Sequence, residues 1–361
     1  MNKKLVAVAI AGLLAAPLAQ AQTANVTLYG RVNMDMEVVH GKQANDSNPN
    51  VFRVSSNSSR LGVRGTEALG GGLTAIFQIE SNVSTDTGIS GGLGNRETFV
   101  GLQGAWGTVK MGNFLAPYDD INPIFGNVPT LLTSILSSAS VWSQGTSPKA
   151  AGGFDARLGN SVRYDSPNMS GFTGSIQYSS GEGTAQSNAG VWSMGGYYNN
   201  GPVQVGLAYE RNNNVRGVGL GDDALSIAGG YNFGIVRLGG VYERLKYDTA
   251  TGDLKRDFWG LSLTGNFGPG QMYFLYGRAQ DGKGGATDGT KVGNLVHGDD
   301  SGAQHYEISY TYPLSKRTLT YVGYVAIDNE ARATYTFNIN PYSIAPGAKP
   351  SGFVFGAVHF F

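Results

Sequence analysis

Arginines lie in several segments in which apolar and polar residues alternate, and they fall on the polar side of each alternation. In the first such segment Val26, Leu28 and Val32 alternate with Arg31, and in the second Leu61 alternates with Arg60. A guanidinium group is permanently charged. In a narrow aqueous space with walls of low dielectric, fixed charges act strongly on passing ions because the field lines are confined there. Arginines that face a common water-filled space could therefore select ions by charge.

The same alternation predicts which further side chains face water. Phe99 is assigned to the apolar side of its segment, which places Arg96 and Thr98 on the water-facing side, and Val162 and Tyr164 are assigned to the apolar side in the same way. Four successive segments then contribute water-facing arginines, namely Arg31; Arg60 and Arg64; Arg96; and Arg157 and Arg163. Other polar residues of the first segment join them: Tyr29, Asn33, Asp35 and Glu37.

Each arginine taken alone also has a plainer interpretation. It could be a solvated residue near a strand end, balanced by Glu37, Glu67 or Glu80. Both interpretations stay open at this point.

The elements that carry these residues have a hydrophobic period of two, which is typical of β-strands rather than helices. From Phe172 to Ser179, apolar or small residues alternate with Thr, Ser and Gln, and similar alternation runs through 203–210 and 305–312. Each strand therefore has one apolar face. This pattern predicts an all-β fold.

Short and long joints alternate between these strands. Seven short turns rich in Gly, Asn and Pro are expected at 68–72, 104–107, 167–171, 199–202, 232–234, 268–270 and 313–316. Eight longer polar segments lie near 39–50, 82–95, 114–156, 180–190, 212–222, 246–255, 280–303 and 328–351. Seven turns at one end and eight loops at the other predict 16 antiparallel strands in a single domain spanning 22–361, with both chain termini at the short-turn end.

An even-stranded antiparallel meander with short turns on one side and long loops on the other is typical of a transmembrane β-barrel. In lipid every backbone donor and acceptor needs an internal partner, and a closed sheet provides this without helices. The apolar face is then expected to point outward, and the polar face to line a water-filled lumen too wide for side chains to fill. A secreted β-sandwich or β-helix has similar turns, but no linker divides this chain into smaller domains.

The first 21 residues have the pattern of a removable export signal. Lys3 and Lys4 precede an apolar run, and Ala19-Gln20-Ala21 provides a cleavage site. Removal of the two lysines leaves 24 basic residues against 26 acidic ones, a balance of −2, and nothing in the sequence suggests nucleic-acid binding. After the signal, no stretch of 18 apolar residues remains, which argues against a helical membrane protein.

Several motifs in sequence order resemble the general Gram-negative porins, most closely the trimeric porins of betaproteobacteria and neisserias. The resemblance covers nearly the whole chain after the signal and rests on these motifs: Val26-Thr-Leu-Tyr-Gly30, Ser59-Arg-Leu-Gly-Val-Arg-Gly65, Leu69-Gly-Gly-Gly-Leu73, Phe99-Val-Gly-Leu102 and the terminal Phe361. It implies a homotrimer in the outer membrane, in contact with lipid and lipopolysaccharide. It also implies that the third long loop, about 114–156, folds into the lumen as a constriction.

The resemblance further implies a ladder of wall arginines that faces carboxylates on the inward loop. Matching positions are Arg31, Arg60, Arg96 and Arg157 for the ladder, and Asp120 for one carboxylate. The family's loop commonly carries Pro-Glu-Phe-Gly, whereas this chain has Pro123-Ile124-Phe125-Gly126, so Ile124 cannot supply the second carboxylate. Asp119 could compensate in part. We therefore expect a net positive constriction and a modest preference for anions among small hydrophilic solutes.

Three other functions remain open from the sequence. The segment Val128 to Trp142 could narrow the lumen and make the channel selective for one anion. A barrel enzyme would need a nucleophile beside a histidine, and the four histidines, His40, His297, His305 and His359, lie near no such partner and fit no metal pattern. We therefore expect no catalysis, no cofactor and no metal. Long surface loops would also suffice for adhesion or phage binding.

Overall fold

The computed structural model describes residues 25–42, 50–88, 91–126, 134–142, 148–182 and 188–361. The predicted export signal, residues 1–21, lies outside them. The strands are β1 (Asn25–Lys42), β2 (Asn50–Ser56), β3 (Arg60–Gly70), β4 (Leu73–Asn82), β5 (Thr98–Gly104), β6 (Gly107–Leu115), β7 (Arg157–Asp165), β8 (Phe172–Ser180), β9 (Gly190–Asn200), β10 (Val203–Asn213), β11 (Gly221–Asn232), β12 (Val236–Thr249), β13 (Gly252–Phe267), β14 (Gly270–Ala279), β15 (Lys291–Val292), β16 (Leu295–Val296), β17 (Ala303–Pro313), β18 (Thr318–Asn329) and β19 (Lys349–Phe360).

The long strands form one closed antiparallel sheet. Each pairs with its neighbour along the chain, and β1 pairs with β19 from Arg31↔Phe360 to Lys42↔Lys349, which closes the ring. Strands β2 and β3 both pair with β1 and share one wall position, so the wall has 16 strands. The predicted 16-strand antiparallel β-barrel is confirmed. The short hairpin β15–β16 lies outside this sheet.

Helical structure in the described residues is confined to single turns. They are Pro117–Ile121 and Ser138–Ser140, which are 3-10 turns, and Asn122–Phe125 and Pro148–Ala151, which are α-helical. No helix in the described part of the chain has the length and apolar character needed to cross a bilayer. All four turns lie in the long connection between β6 and β7, and the first two along the chain, Pro117–Ile121 and Asn122–Phe125, pack against the wall.

The seven predicted short turns all separate consecutive strands of the wall. The prediction of a long loop at 246–255 is wrong, because β12 and β13 continue through these residues and pair from Lys246↔Lys255 to Thr249↔Gly252. Charged residues such as Asp253 and Lys255, which form an ion pair at 2.5 Å, made this hairpin resemble a loop in the sequence. The barrel wall is therefore taller here than the hydrophobic pattern alone indicates.

The outer surface of the barrel is apolar, as the alternation predicts. Leu28 and Leu261, on strands far apart in the chain, are 62% and 61% exposed. Residues on the other face of β1, including Arg31, Asn33, Asp35 and Glu37, are buried inside the barrel. This arrangement places apolar side chains towards lipid and polar ones towards the lumen on this part of the wall.

The predicted orientation of β5 is wrong. Val100 and Leu102 point outward and are exposed, whereas the ring of Phe99 lies 6.2 Å from the buried ring of Phe114 on the inner side. Thr98, which was predicted to face water, pairs with the outward residue Ile79 and therefore lies on the outer face of the sheet. The adjacent apolar residues Phe99 and Val100 leave the period ambiguous in the sequence, and packing against the Phe114 ring fixes it.

The lumen is not lined by polar residues all round, which corrects a second expectation. Many inward positions on the strands from β10 to β19 carry small or apolar side chains that pack against the inward connections, and they include Ala208, Ala224, Ala228, Val241, Leu245, Phe258, Leu275, Val325, Val354 and Val358. Charged groups such as Glu243 and Arg256 are buried among them. Residues between β6 and β7 cover them, notably Ile121, Phe125, Leu136 and Trp142. One half of the barrel interior is thus packed rather than open.

Candidate pore constriction

The inward connection between β6 and β7 and the arginines of the opposite wall enclose one cavity of about 520 Å³. All six residues predicted for the constriction line it: Arg31, Arg60, Arg96, Arg157, Asp119 and Asp120. Residues that were not predicted for the constriction complete the lining: Ser58, Leu115, Asn122, Pro123, Asp155, Asn338 and Ile339. The sheet thus brings together side chains that are far apart in the chain, from Arg31 on β1 to Arg157 on β7.

On the wall side, Glu80 joins two of the arginines. Its carboxylate lies 2.6 Å from Nε of Arg96 and 3.5 Å from Nε of Arg60, and Tyr29 donates its hydroxyl to it at 3.0 Å. Arg31 donates from Nε to the carbonyl of Ser58 at 3.2 Å. The plainer interpretation therefore holds in part, because Glu80 does balance arginines.

Arg96 reaches this cluster although it precedes β5. Its backbone N–H donates to the carbonyl of Glu80 at 3.0 Å, which directs the side chain into the barrel. Further along the wall, Nε of Arg157 lies 3.3 Å from a carboxylate oxygen of Glu97. Glu37, also considered as a balancing residue, instead pairs with Arg53.

On the loop side, three carboxylates face the arginines. Asp120 forms an ion pair with Arg163, which also contacts Asp165 at 2.8 Å. Asp119 is 6% exposed, and among the described residues its carboxylate oxygens have no hydrogen-bond partner. Burial raises the pKa of the Asp155 carboxyl to about 6, while the nearby Arg157 opposes the shift. Asp155 is therefore a loop carboxylate that can change charge near neutral pH.

Glycines on the inner wall determine where the loop lies. A Cβ placed on Gly206 would meet Ile124 at 2.8 Å, one on Gly239 would meet the carbonyl oxygen of Ile124 at 2.8 Å, and one on Gly260 would meet the Phe125 ring at 2.5 Å. Such distances are shorter than real Cβ contacts, so only glycine fits without a shift of the loop. Ile124, at the position where the resemblance implies a carboxylate, is therefore buried in a packed contact.

The last long connection also enters the lumen, which the sequence analysis missed. Asn338 donates its backbone N–H to Ser140 Oγ at 3.1 Å, and Asn340 donates its side-chain amide to Glu37 at 3.0 Å. Tyr335 and Phe337 are buried in the core. Apolar residues at every second position from Ala333 to Phe337 are the signal that could have identified this segment as packed.

The four histidines have separate environments. His305 faces inward and is buried, and no described residue hydrogen-bonds its ring, whereas His359 contacts Thr318 at 2.9 Å. His40 contacts Asn50 at 2.6 Å, and His297 lies 3.9 Å from Asp288. Within the described ranges no group of three His, Asp or Glu residues could hold a metal ion.

The sequence matches the family model described as Gram-negative porin over residues 6–332. Outer membrane porin protein 32 of Delftia acidovorans is 29% identical over 348 residues, which cover 92% of this chain and 92% of that protein. Major outer membrane protein P.IB of Neisseria meningitidis serogroup B is 33% identical over 225 residues, which cover 60% of this chain and 61% of that protein. The chain thus matches about three fifths of the length of this neisserial relative.

Among solved structures, an anion-selective porin from Comamonas acidovorans is similar in fold, with a TM-score of 0.75 and 25% sequence identity. The superposition covers 94% of this chain and 100% of that chain. The likeness therefore extends over nearly the whole chain.

Proposed function

The chain belongs to the Gram-negative porin family, and from this membership we propose that it forms a water-filled channel for passive diffusion of small hydrophilic solutes, with a modest preference for anions. The family model, the relatives and the closed barrel all agree with the resemblance to porins, which is confirmed, and with a location in the outer membrane. Channel activity and ion preference are the parts that we propose.

The cavity between the wall arginines and the loop carboxylates is the observation on which the proposal depends. One half of the lumen is packed, so this cavity lies in the half through which solutes could pass. The side chains of Arg60 and Arg157 are 29% and 27% exposed, whereas Glu80, which pairs with Arg60, is only 4% exposed. Positive groups are therefore presented to water, and the carboxylate that balances Arg60 lies behind them.

Anion preference is supported by one further comparison. The porin from Comamonas acidovorans that shares this fold is described as anion-selective. Together with the exposed guanidinium groups, this supports a constriction that admits anions more readily than cations.

A planar bilayer experiment tests the channel and its preference. The refolded protein is placed under a potassium chloride gradient, and the zero-current potential and single-channel conductance are measured. We expect an anion-signed potential that weakens in Arg60→Gln and Arg157→Gln. Arg317→Gln, in a short turn between β17 and β18, is the matched control and should leave the potential unchanged. A cation-signed potential in the wild type would reject the anion preference, and no conductance would reject the channel.

A substrate-selective anion channel is the second candidate. The described residues of the segment predicted to narrow the lumen, 134–142, are buried inside the barrel, and Asn338 of the last connection adds to the narrowing. A selective channel would saturate with substrate because a solute would remain bound at the constriction. Linear dependence of flux on concentration for a panel of organic and inorganic anions would favour the general channel.

We also propose that three copies assemble through the side formed by β1 to β5. Outward residues there are largely aliphatic, with Phe52 and Phe77 as exceptions, and include Val26, Leu28, Val32, Met36, Leu61, Ile79, Val100 and Leu102. Outward aromatic residues are concentrated elsewhere: Phe172, Trp192, Tyr231, Phe233, Tyr242, Trp259, Phe267, Phe274, Tyr306 and Tyr312. Aromatic side chains mark contact with the lipid interface, so the aliphatic side fits contact with another protein chain.

Outer-membrane lipid and lipopolysaccharide are the remaining proposed partners. Charged residues continue beyond the aromatic positions on β12 and β13, where Lys246 lies 4.0 Å from Asp248 and Lys255 pairs with Asp253. Anionic head groups could bind these cations while acyl chains cover the apolar band. Adhesion or phage binding by the surface connections is left without a supporting observation.

A further inference from the structure

We propose that the buried pair Arg256–Glu243 is a positioning device that fixes the constriction loop on the barrel wall and thereby sets the width and charge of the channel, an inference that rests on the proposed channel function. Neither side chain has any exposed surface. Arg256 is on β13 and Glu243 on β12, and both point into the barrel. They occupy the packed half of the lumen, behind the loop.

The Arg256 side chain binds backbone carbonyls in the later part of the loop. Its Nη1 donates to the carbonyl of Val141 at 2.7 Å, and its Nη2 donates to the carbonyl of Trp142 and to Glu243. Nη1 also lies 3.5 Å from the hydroxyl of Tyr335, in the last long connection. Because a guanidinium offers five donors in a rigid plane, one side chain can hold several carbonyls in fixed geometry.

Glu243 binds the beginning of the same loop. Tyr118 donates its hydroxyl to Oε1 of Glu243 at 2.6 Å, and that hydroxyl lies 2.8 Å from Ser226 Oγ. Tyr118 is directly followed by Asp119 and Asp120, which line the cavity. The pair therefore connects two distant parts of the loop to two adjacent strands and determines where the loop carboxylates lie.

Aromatic packing completes the contact. The Trp142 ring lies nearly parallel to the Phe258 ring, at 14° and 6.5 Å, and edge-on to the Phe125 ring at 5.6 Å. Phe258 is on the same strand as Arg256 and on the same inward face. If the guanidinium is removed, the carbonyls of Val141 and Trp142 lose their donor in a buried site, which favours displacement of the loop.

The first experiment detects loop position without measuring conductance. The chain has no cysteine, so Ser138→Cys, at a position that is 3% exposed, introduces a single thiol on the loop. We expect a soluble maleimide to label this thiol slowly in the otherwise wild-type protein, and about tenfold faster when Arg256→Met is added, because the loop opens locally. Arg244→Met is the matched control: it breaks an ion pair with Asp257 at 2.7 Å between the same two strands, but on the outer face.

The second experiment measures the effect on the channel. In planar bilayers Arg256→Met should show a noisier open current and a changed zero-current potential relative to wild type, whereas Arg244→Met should match wild type. Tyr118→Phe removes one hydroxyl and preserves packing, so it should give a smaller change of the same kind. Arg256→Lys should restore part of the wild-type behaviour.

Two results would overturn the proposal. One is that folded protein carrying both Ser138→Cys and Arg256→Met is labelled no faster than protein carrying Ser138→Cys alone. If Arg256→Met does not fold, as judged by circular dichroism, Tyr118→Phe is tested in its place. The second overturning result is that Tyr118→Phe leaves both the labelling rate and the current unchanged. A wild-type protein without conductance would instead reject the proposed channel, while the labelling rates would still decide whether the pair holds the loop.

Discussion

At the scale of single residues, charge at the constriction depends on a small set of side chains whose environments differ. Arg60 and Arg96 share Glu80, whereas the carboxylate of Asp119 is buried without a hydrogen-bond partner among the described residues. Guanidinium groups keep their charge near neutral pH, so a titration of the constriction in that range must come from its carboxylates. Asp155 has a pKa in that range.

We expect the anion preference to increase as the pH falls from about 7.5 to about 5. The pKa of Asp155 is raised to about 6 by burial, so its carboxylate is ionised above this pH and opposes the arginines, and it becomes neutral below it. The zero-current potential measured across this pH range should shift towards anions at acidic pH.

Asp155→Asn should abolish most of this shift in the zero-current potential, because the amide is neutral at every pH. At about pH 7.5 the variant should therefore show the potential that wild type shows at about pH 5. Asp257→Asn, on the outer face, is the control and should retain the wild-type pH dependence. A shift of unchanged size in Asp155→Asn would assign the titration to another carboxyl.

The inward positions of Arg31 and Arg60 could be predicted from the sequence because a period of two fixes the side of the wall on which a residue lies. The same argument gave the wrong side for Phe99, since two adjacent apolar residues satisfy either register. Burial of Ile124 could not be predicted either, because it depends on glycines of β10 and β12 that are distant in the chain.

At the scale of elements, the inner wall has glycines where the helical turn of the loop approaches it. Gly206, Gly239 and Gly260 lie on β10, β12 and β13, and each is covered by Ile124 or Phe125. Arg237 adds a hydrogen bond to the carbonyl of Pro123 at 3.2 Å. These contacts hold the helical turn Asn122–Phe125 against the wall.

Gly239→Ala should displace this turn towards the open side of the lumen. The added methyl group would lie 2.8 Å from the carbonyl oxygen of Ile124, and a clash with backbone can be relieved only by movement of the loop. We expect a lower single-channel conductance and a loss of about 1–3 kcal/mol of unfolding free energy, the usual cost of overpacking.

Gly229→Ala is the matched control on the neighbouring strand, because a methyl group there meets nothing within 4 Å. It should leave conductance and stability close to wild type. Equal conductance in the two variants would show that the Gly239 contact does not determine the position of the loop.

Most strands could be predicted from the alternation. The inward course of the connection between β6 and β7 was implied by the resemblance, whereas that of the connection between β18 and β19 was missed. Residues 333–348 contain Asn, Pro, Gly and Ser and therefore resemble a surface loop, although Asn329 holds them inside through hydrogen bonds to the carbonyls of Tyr335 and Ala348, both 2.8 Å. The alternation from Ala333 to Phe337 is too short to show where the rest of the segment lies, because these hydrogen bonds depend on the assembled barrel.

At the scale of the whole molecule, the barrel has two different halves. The strands from β10 to β19 are packed on the inside and rich in aromatic residues on the outside, whereas β1 to β7 carry the arginines inside and mostly aliphatic residues outside. The open cavity therefore lies close to the side that we propose for assembly of the trimer.

Val100→Trp should weaken the trimer. Val100 is exposed on β5 within the proposed interface, and a large aromatic side chain would prevent close approach of a second copy while remaining compatible with lipid. Light scattering of the purified protein in detergent should show a larger fraction of monomers than in wild type.

Leu261→Trp, at a similarly exposed position on β13, is the control and should leave the trimer intact. Dissociation by both substitutions to the same extent would place the interface elsewhere or indicate a general loss of stability.

Pairing of β1 with β19 has a consequence for the order of assembly. Arg31, at the edge of the cavity, is held in register by Phe360 on one side and by Arg60 on the other. The wall that carries the arginines of the proposed constriction therefore contains the pairing of the first and last strands, and Arg31 reaches its final position only after β19 has joined. Contacts between such distant parts of a chain form slowly. A barrel that has not yet closed would thus lack Arg31 at the cavity, and the proposed ion preference would be established only when β1 pairs with β19.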